Sequence, residues 1–375
     1  MRLALVHDHL CGIGGSERIF QHLCEEFQEA DIYTLAYNPK TTLPYFATRK
    51  IHTTWLNRFV SNSDAFRWSF PLATYVMQRV DLSNYDIVLS SSATTAKYVK
   101  APKGGHICYC YIPTRALWHY EQYFGISFKR YLVRPFLNLL KNRDYRIAQE
   151  VDRFISISES SKQYIQQYYN QAAETVYCPV ETEKFTPTEK KLDHYLLVSR
   201  LEPWKKVEYA IEAFNRLGKP LKIVGTGTET VKLRKMAREN VSFLGSLDDI
   251  QLAKEYSACK AVIFTPFLEY GLIPLEANAS GTPVICYGHG GVNETMIPAE
   301  THSKRPPTAL FFYEQTASAL IDAVEKFETM HFDHSALVEH AAQWNVASFK
   351  KKMRTVVEQQ SKRKKTSEVS GLIKH

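Results

Sequence analysis

The sequence predicts an α/β protein with two doubly wound parallel sheets, and three observations carry that prediction. Short apolar runs alternate with amphipathic stretches of helical period along most of the 375 residues. The alternation restarts beyond residue 172. Several apolar runs end in glycine-rich or hydroxyl-rich turns, the composition of the carboxyl edge of a parallel sheet, where ligands bind. The expected divisions are residues 1–172, residues 173–346, a terminal helix at 347–360 and a basic tail at 361–375.

Composition sets outer limits. Apolar residues make up 45% and charged residues 23%, which suits a soluble protein with a sizeable core. Net charge is +8, but residues 350–365 hold eight Lys/Arg against Glu358, a local +7, so the remainder sums to +1. A basic excess confined to the tail argues against a nucleic-acid-binding surface. The seven cysteines have apolar flanks and lack the paired spacing of a zinc site, so they read as buried free thiols of a reducing compartment. No signal peptide is visible, and no apolar run is long enough to span a bilayer.

In chain order, Leu3 to Val6 is a buried strand, and Gly14-Gly15-Ser16-Glu17 opens a helix with Ile19, Phe20, Leu23 and Phe27 on one face. Glycines before a helix start let backbone N–H groups approach an anion, and they serve tight turns without ligands equally well. Residues 53–83 and 128–151 mix aromatic and basic side chains, which fits either helices packing the first domain or an anionic membrane surface. Asp86 to Ser92 and His106 to Arg115 each read as a strand and its polar edge. In the second half the strands are Tyr195 to Val198, Leu221 to Gly225, Val241 to Gly245, Ala261 to Phe264 and Val284 to Cys286. Pro274 and Glu276 are expected in the first turn of the helix that follows Gly271. Arg200 and Lys205, five apart in a loop at a sheet edge, can reach one diphosphate.

Four landmarks occur in order: Ser199-Arg-Leu-Glu-Pro-Trp-Lys-Lys206, Gly225-Thr-Gly227, Val241-Ser-Phe-Leu-Gly245 and Glu269-Tyr-Gly-Leu-Ile-Pro-Leu-Glu276. Together with Gly14-Gly15, they resemble the family-4 retaining glycosyltransferases of GT-B fold, closest to mannosyltransferases of surface-polysaccharide assembly. The resemblance implies a hexosyltransferase with two Rossmann-like domains facing a cleft and a C-terminal helix crossing back to the first domain. It implies that Arg200 and Lys205 hold the donor diphosphate and stabilise the leaving group, a charge effect that is large in catalysis. Glu276 would bind the ribose, and backbone at Phe243, Leu244 and Gly245 the nucleobase. Gly225, Gly227, Gly271, Leu272 and Ile273 would line the donor site, with Gly14 and Gly15 closing over it. Configuration would be retained, the departing phosphate assisting the acceptor. The implied donor is a GDP- or UDP-linked sugar, with no other cofactor and no metal; the sequence contains no Asp-x-Asp pair. The acceptor would be a glycan or lipid-diphosphate-linked sugar, at the inner face of a cell membrane for a cytoplasmic, peripheral protein.

The sequence departs from the family pattern on the sugar side. The first glutamate of the paired motif should fall at 268, where this chain has Leu268; Glu269 stands one position later. Relatives carry His where this chain has Tyr111, and Tyr cannot bear the same charge near neutral pH. Arg115 and His119 are the further sugar- or acceptor-side candidates. These departures leave a second reading, a catalytically weakened paralogue that binds nucleotide sugar as a scaffolding subunit.

Overall fold

The computed structural model describes residues 1–119, 129–188, 190–300 and 304–372. The chain divides into two compact units, Met1–Cys178 with Ala347–His375, and Pro179–Val346.

The first unit holds seven parallel strands: β1 Leu3–His7, β2 Asp31–Thr34, β3 Ile51–Thr53, β4 Ile87–Ser92, β5 His106–Cys110, β6 Arg153–Ser156 and β7 Ala173–Thr175. Their order is β3-β2-β1-β4-β5-β6-β7, so the winding reverses between β1 and β4. The uninterrupted apolar runs of β1, β4 and β5 are buried at every position, as strands covered by helices on both faces must be. The helix Gly15–Glu26 buries Ile19, Phe20 and Leu23. The helix Ser63–Met77 starts at Asn62, whose side chain accepts from Ala65 N–H. Residues 173–175 pair with β6 in register Phe154↔Ala173, so this segment closes the first sheet and does not open the second half as expected.

The terminal helix is longer than expected. It runs from Val346 to Leu372, so residues 361–372 of the anticipated tail are helical. Its apolar stripe of Phe349, Met353, Val356 and Val357 is buried, and Phe349 meets the Tyr109 ring at 5.7 Å. Lys350 Nζ reaches Glu25 at 2.7 Å, and Arg354 bonds Glu26. Burial alone would raise the Glu25 carboxyl, but hydrogen bonds from Lys350, Gln21 and His22 lower it to about 2. Part of the positive charge of residues 350–365 therefore neutralises acids of the first unit.

A buried polar network ties the helix Lys129–Ala148 to the turn after β4 and to the helices Arg115–Trp118 and Glu159–Tyr169. Lys97 Nζ lies 2.8 Å from Asp144 Oδ1, with both side chains at most 2% exposed. The same carboxylate accepts from Tyr98 and Tyr169 hydroxyls, both at 2.7 Å, and from Trp118 Nε1 at 2.8 Å. Desolvation would raise the Asp144 carboxyl, but the Lys97 charge and these donors hold it below its usual range.

The second unit has six parallel strands: β8 Tyr195–Val198, β9 Leu221–Val224, β10 Val241–Gly245, β11 Val262–Phe264, β12 Val284–Tyr287 and β13 Ala309–Phe312. Their order is β10-β9-β8-β11-β12-β13, and the winding reverses between β8 and β11. One helical layer, with Val207–Leu217 and Ala317–Phe327, packs on one face through Ile211, Phe214, Leu320 and Val324. The helix Leu272–Ala279 contributes Leu275 and Ala277 to the cluster that holds Val262, Phe264 and Val284.

Asp144→Asn would leave the Lys97 ammonium buried without its counter-ion. Breaking one side of a buried pair costs about 3–5 kcal/mol, so chemical denaturation should show a loss of that size with an unchanged slope.

Candidate functional site

In the second unit, the loops leaving β8 and β11 flank the strand reversal, the position where doubly wound sheets bind ligands. Arg200 is exposed and Lys205 is 9% exposed. Trp204 lies between them: the Lys205 Nζ is 4.2 Å from its ring centroid and the Arg200 guanidinium carbon 5.8 Å. One indole thus brings both cations to one place. Thr265 Oγ1 donates to the Lys205 carbonyl at 2.8 Å, and Gln315 Nε2 donates to the Thr265 carbonyl at 2.9 Å. The loops after β8, β11 and β13 are therefore stitched together.

Gly225 and Gly227 have a packing reason to be glycine. A Cβ at Gly225, where φ is +126°, would sit 1.9 Å from the Ser199 carbonyl oxygen, and one at Gly227 would sit 2.3 Å from the Leu201 oxygen. The β9 exit lies directly on the Ser199–Leu201 backbone, bonded through Ser199 N–H to Val224 and Leu201 N–H to Thr226. Phe243, Leu244 and Gly245 end β10, and Arg234 stacks over the Phe243 ring at 4.8 Å. Gly245 takes φ +70° and its carbonyl accepts from Gly225 N–H at 2.7 Å.

Gly271 is the N-cap of the helix Leu272–Ala279, so the N–H groups of Leu272 and Ile273 are among those that a helix leaves without an internal partner. Glu276 is the fifth residue of this helix, not in its first turn as expected, because the helix starts at Leu272. A dipole argument for its carboxylate therefore fails; its firm partner is Tyr256, whose hydroxyl donates to Oε2 at 2.8 Å.

The Leu268-Glu269 step is held by backbone. Leu268 bridges Gly290, and Gly291 N–H donates to the Leu268 carbonyl at 2.8 Å. Gly290 has φ +82°, and a Cβ there would meet the Leu268 oxygen at 2.4 Å. Leu268 packs against the cluster of Phe264 and Leu275, while Glu269 is 8% exposed. The Gly288-His-Gly-Gly291 turn after β12 is a part of this site that sequence reading missed, although its three glycines at a strand exit were visible.

In the first unit, the glycine turn and Tyr111 come together. Gly14 caps the helix Gly15–Glu26, and a Cβ on it would lie 2.8 Å from Glu17 Oε2. The anion lying against this glycine is the protein's own carboxylate. Tyr111 donates to the Ser16 carbonyl at 3.1 Å, and its hydroxyl lies 2.9 Å from Ser91 Oγ. A carbonyl only accepts, so Tyr111 accepts from Ser91, and Ser91 in turn accepts from His7 Nδ1 at 3.1 Å. The other His7 nitrogen faces Glu17 at 3.8 Å. Burial would raise the Glu17 carboxyl, but His7 brings it below its usual range. His7 and Ser91 were not proposed as site residues from the sequence; a polar residue near the end of each buried strand was their only signal, whereas Glu17 belongs to the Gly14-Gly15-Ser16-Glu17 turn already read as a helix start.

The strand reversal in this unit is closed in a different way. Asp8, just past β1, accepts from the backbone N–H groups of Ala93, Thr94, Thr95 and Ala96 at 2.6–3.0 Å. Arg115 opens the short helix Arg115–Trp118 and is half-buried. His119 is buried, edge-on to Tyr164 and Tyr168 at 4.7 and 5.3 Å, and so belongs to an aromatic packing layer. Among the described residues no group of three or more His, Cys, Asp or Glu is arranged to hold a metal ion. All seven cysteines are free and buried.

Two doubly wound parallel units are the architecture of the GT-B fold. Residues 13–184 match Glycosyltransferase Family 4 and residues 179–344 match Glycosyl transferases group 1, and the chain belongs to the family-4 glycosyltransferases. It is 23% identical over 365 residues to the alpha-1,3/1,6-mannosyltransferase ALG2 of Mus musculus, covering 84% of this chain and 85% of that protein. A glycogen synthase of Mycobacterium tuberculosis is 38% identical over 117 residues, a segment spanning only 28% of this chain and 28% of that protein. Among solved structures, sucrose-phosphate synthase from Thermosynechococcus elongatus superposes with a TM-score of 0.70 at 16% identity, covering 96% of this chain and 99% of that one. Anabaena HepE, solved with UDP, gives 0.69 at 14% identity, covering 96% and 100%.

Two substitutions test this geometry. Leu268→Glu places a carboxylate among apolar neighbours, a change worth about 1–3 kcal/mol of instability; the melting temperature should fall and transfer should not rise. Tyr111→Phe removes one buried hydrogen-bonded hydroxyl and should cost about 1 kcal/mol in urea unfolding. Unchanged stability in the second case would show that the hydroxyl is not engaged.

Proposed function

We propose that this protein moves a hexose, mannose before others, from a nucleotide sugar to a glycan or lipid-diphosphate-linked acceptor, with retained configuration and without a metal ion. The observation that carries the reading is the Arg200–Trp204–Lys205 arrangement at the β8/β11 reversal, on a loop that Thr265 ties to the segment leading into the helix Leu272–Ala279. Two cations and a helix N-terminus suit a diphosphate leaving group, stabilising the charge that develops as the glycosidic bond breaks. In this reading Glu276, Glu269, Gly225, Gly227, Gly271 and the Phe243–Gly245 turn serve the donor. The HepE complexes with UDP and UDP-glucose support a nucleotide-sugar donor, and the mannosyltransferase ALG2 supports mannose. The leaving phosphate assists the acceptor on the same face, so no protein nucleophile is invoked. No described helix is long and apolar enough to cross a membrane, so a peripheral position at the cytoplasmic face accompanies the lipid-linked acceptor in this proposal.

One observation favours the scaffolding alternative. The Tyr111 hydroxyl is engaged by Ser16 and Ser91, and Leu268 by the apolar cluster, so the two departing positions are both occupied with internal contacts.

A thermal-shift panel of UDP, GDP and their sugars, followed by transfer assays with and without a chelator, separates the two. Arg200→Ala and Lys205→Ala should each reduce turnover by about two to three orders of magnitude if charge stabilisation of the leaving group dominates. Near-parental turnover in both variants contradicts the proposal. Nucleotide stabilisation with no turnover across the panel selects the scaffolding role.

A further inference from the structure

Half of the strongly exposed large apolar side chains in the described chain fall within two segments of the first unit. Eight of the sixteen lie between Trp55 and Tyr75 or between Phe136 and Tyr145. Trp68 is 89% exposed and Phe59 71%, values far outside the usual burial of such rings. On the helix Ser63–Met77, Trp68, Leu72 and Tyr75 stand at i, i+4 and i+7, one face. On the helix Lys129–Ala148, Phe136, Leu139 and Arg143 stand at i, i+3 and i+7, again one face. The two faces adjoin, because the Arg143 guanidinium lies 3.4 Å over the Tyr75 ring and bonds Thr74 and Gln78. Beneath this seam, Phe70, Leu117 and Leu140 form a buried cluster that anchors both helices.

The charges around this face are mostly basic. Arg58, Arg67, Arg79 and Arg146 are exposed, and Lys141 and Arg143 are half-buried. Within the two helices the acids are Asp64, paired with Arg67, and Asp144, which points inward to Lys97. A protein partner would have to cover bare tryptophan and match a rim of arginines with its own acids. A bilayer supplies both at once, an apolar layer for the rings and anionic headgroups for the cations.

We infer that the outward faces of helices Ser63–Met77 and Lys129–Ala148, continued by Trp55 and Phe59, dock in the plane of an anionic lipid surface. The rings enter the headgroup–acyl boundary, and the arginines stay at the phosphate level. This deepens the lipid-linked acceptor reading and names the face that would meet the membrane.

The test is co-sedimentation of the full chain with vesicles of phosphatidylcholine alone or mixed with phosphatidylglycerol, without nucleotide sugar, so failure here is distinct from failure of transfer. The parent should bind the phosphatidylglycerol vesicles, less so at high salt, and leave the neutral ones. Trp68→Glu with Leu72→Glu should weaken that binding about tenfold or more, with an unchanged melting temperature and unchanged turnover on a water-soluble acceptor. Arg67→Glu with Arg146→Glu leaves the apolar face intact and should remove the preference for phosphatidylglycerol; it decides the matter if the first double variant melts early. Parent-like sedimentation of both double variants overturns the inference. So does a parent that ignores both vesicle types, or one whose self-association disappears in the first double variant.

Discussion

The reversal of strand order is the constraint on which the rest of this molecule depends. Parallel strands joined by right-handed crossovers can build outward in both directions only if the chain changes sides once. At that point the loops from two neighbouring strands leave in opposite directions and open a crevice at the carboxyl edge. Each unit has one such crevice, between β1 and β4 and between β8 and β11. The backbone argument is the same in both, and the side chains placed there are opposite in charge.

In the first unit the crevice is filled by the protein itself. Asp8 occupies four backbone N–H groups at the start of the turn after β4, and Glu17 lies against the glycine turn with His7 behind it. Buried carboxylates are tolerable here because each is met by several donors or by an imidazole; an unpaired charge would cost far more than it contributes. The Lys97–Asp144 network applies the same rule deeper in the unit. In the second unit the crevice keeps its cations, with Arg200 and Lys205 gathered around Trp204. Positive charge at that crevice is what a phosphate ligand requires.

At the glycines a ligand reading and a packing reading meet on the same residues. Gly225 and Gly227 invite a ligand-binding reading, because small residues at a strand exit admit a phosphate. Their positions also require them to be glycine because the Ser199–Leu201 backbone lies against them. Gly14 is crowded by Glu17 in the same way. The family resemblance implies a sugar-side place for Tyr111 and His119; the Tyr111 hydroxyl reaches the Ser16 carbonyl and the His119 ring packs on tyrosines.

What was legible from composition and order was whatever depends on local pattern. Apolar runs of four or five residues, each followed by a turn and a helical period, were enough for two parallel sheets, for the Arg200–Lys205 loop and for the helix after Gly271. Period and turn chemistry are properties of neighbouring residues, so one chain suffices to read them. The boundary near 173 and the length of the last helix were misjudged for the complementary reason. Residues 173–175 become a strand because β6 offers them a ladder, and residues 361–372 continue a helix whose earlier turns are anchored on Tyr109, Glu25 and Glu26. Only the tertiary structure could decide whether Leu268 faces apolar neighbours, whether Glu276 falls in the first helical turn, and which carboxylates fill the first crevice, since each answer rests on atoms brought together from distant parts of the chain.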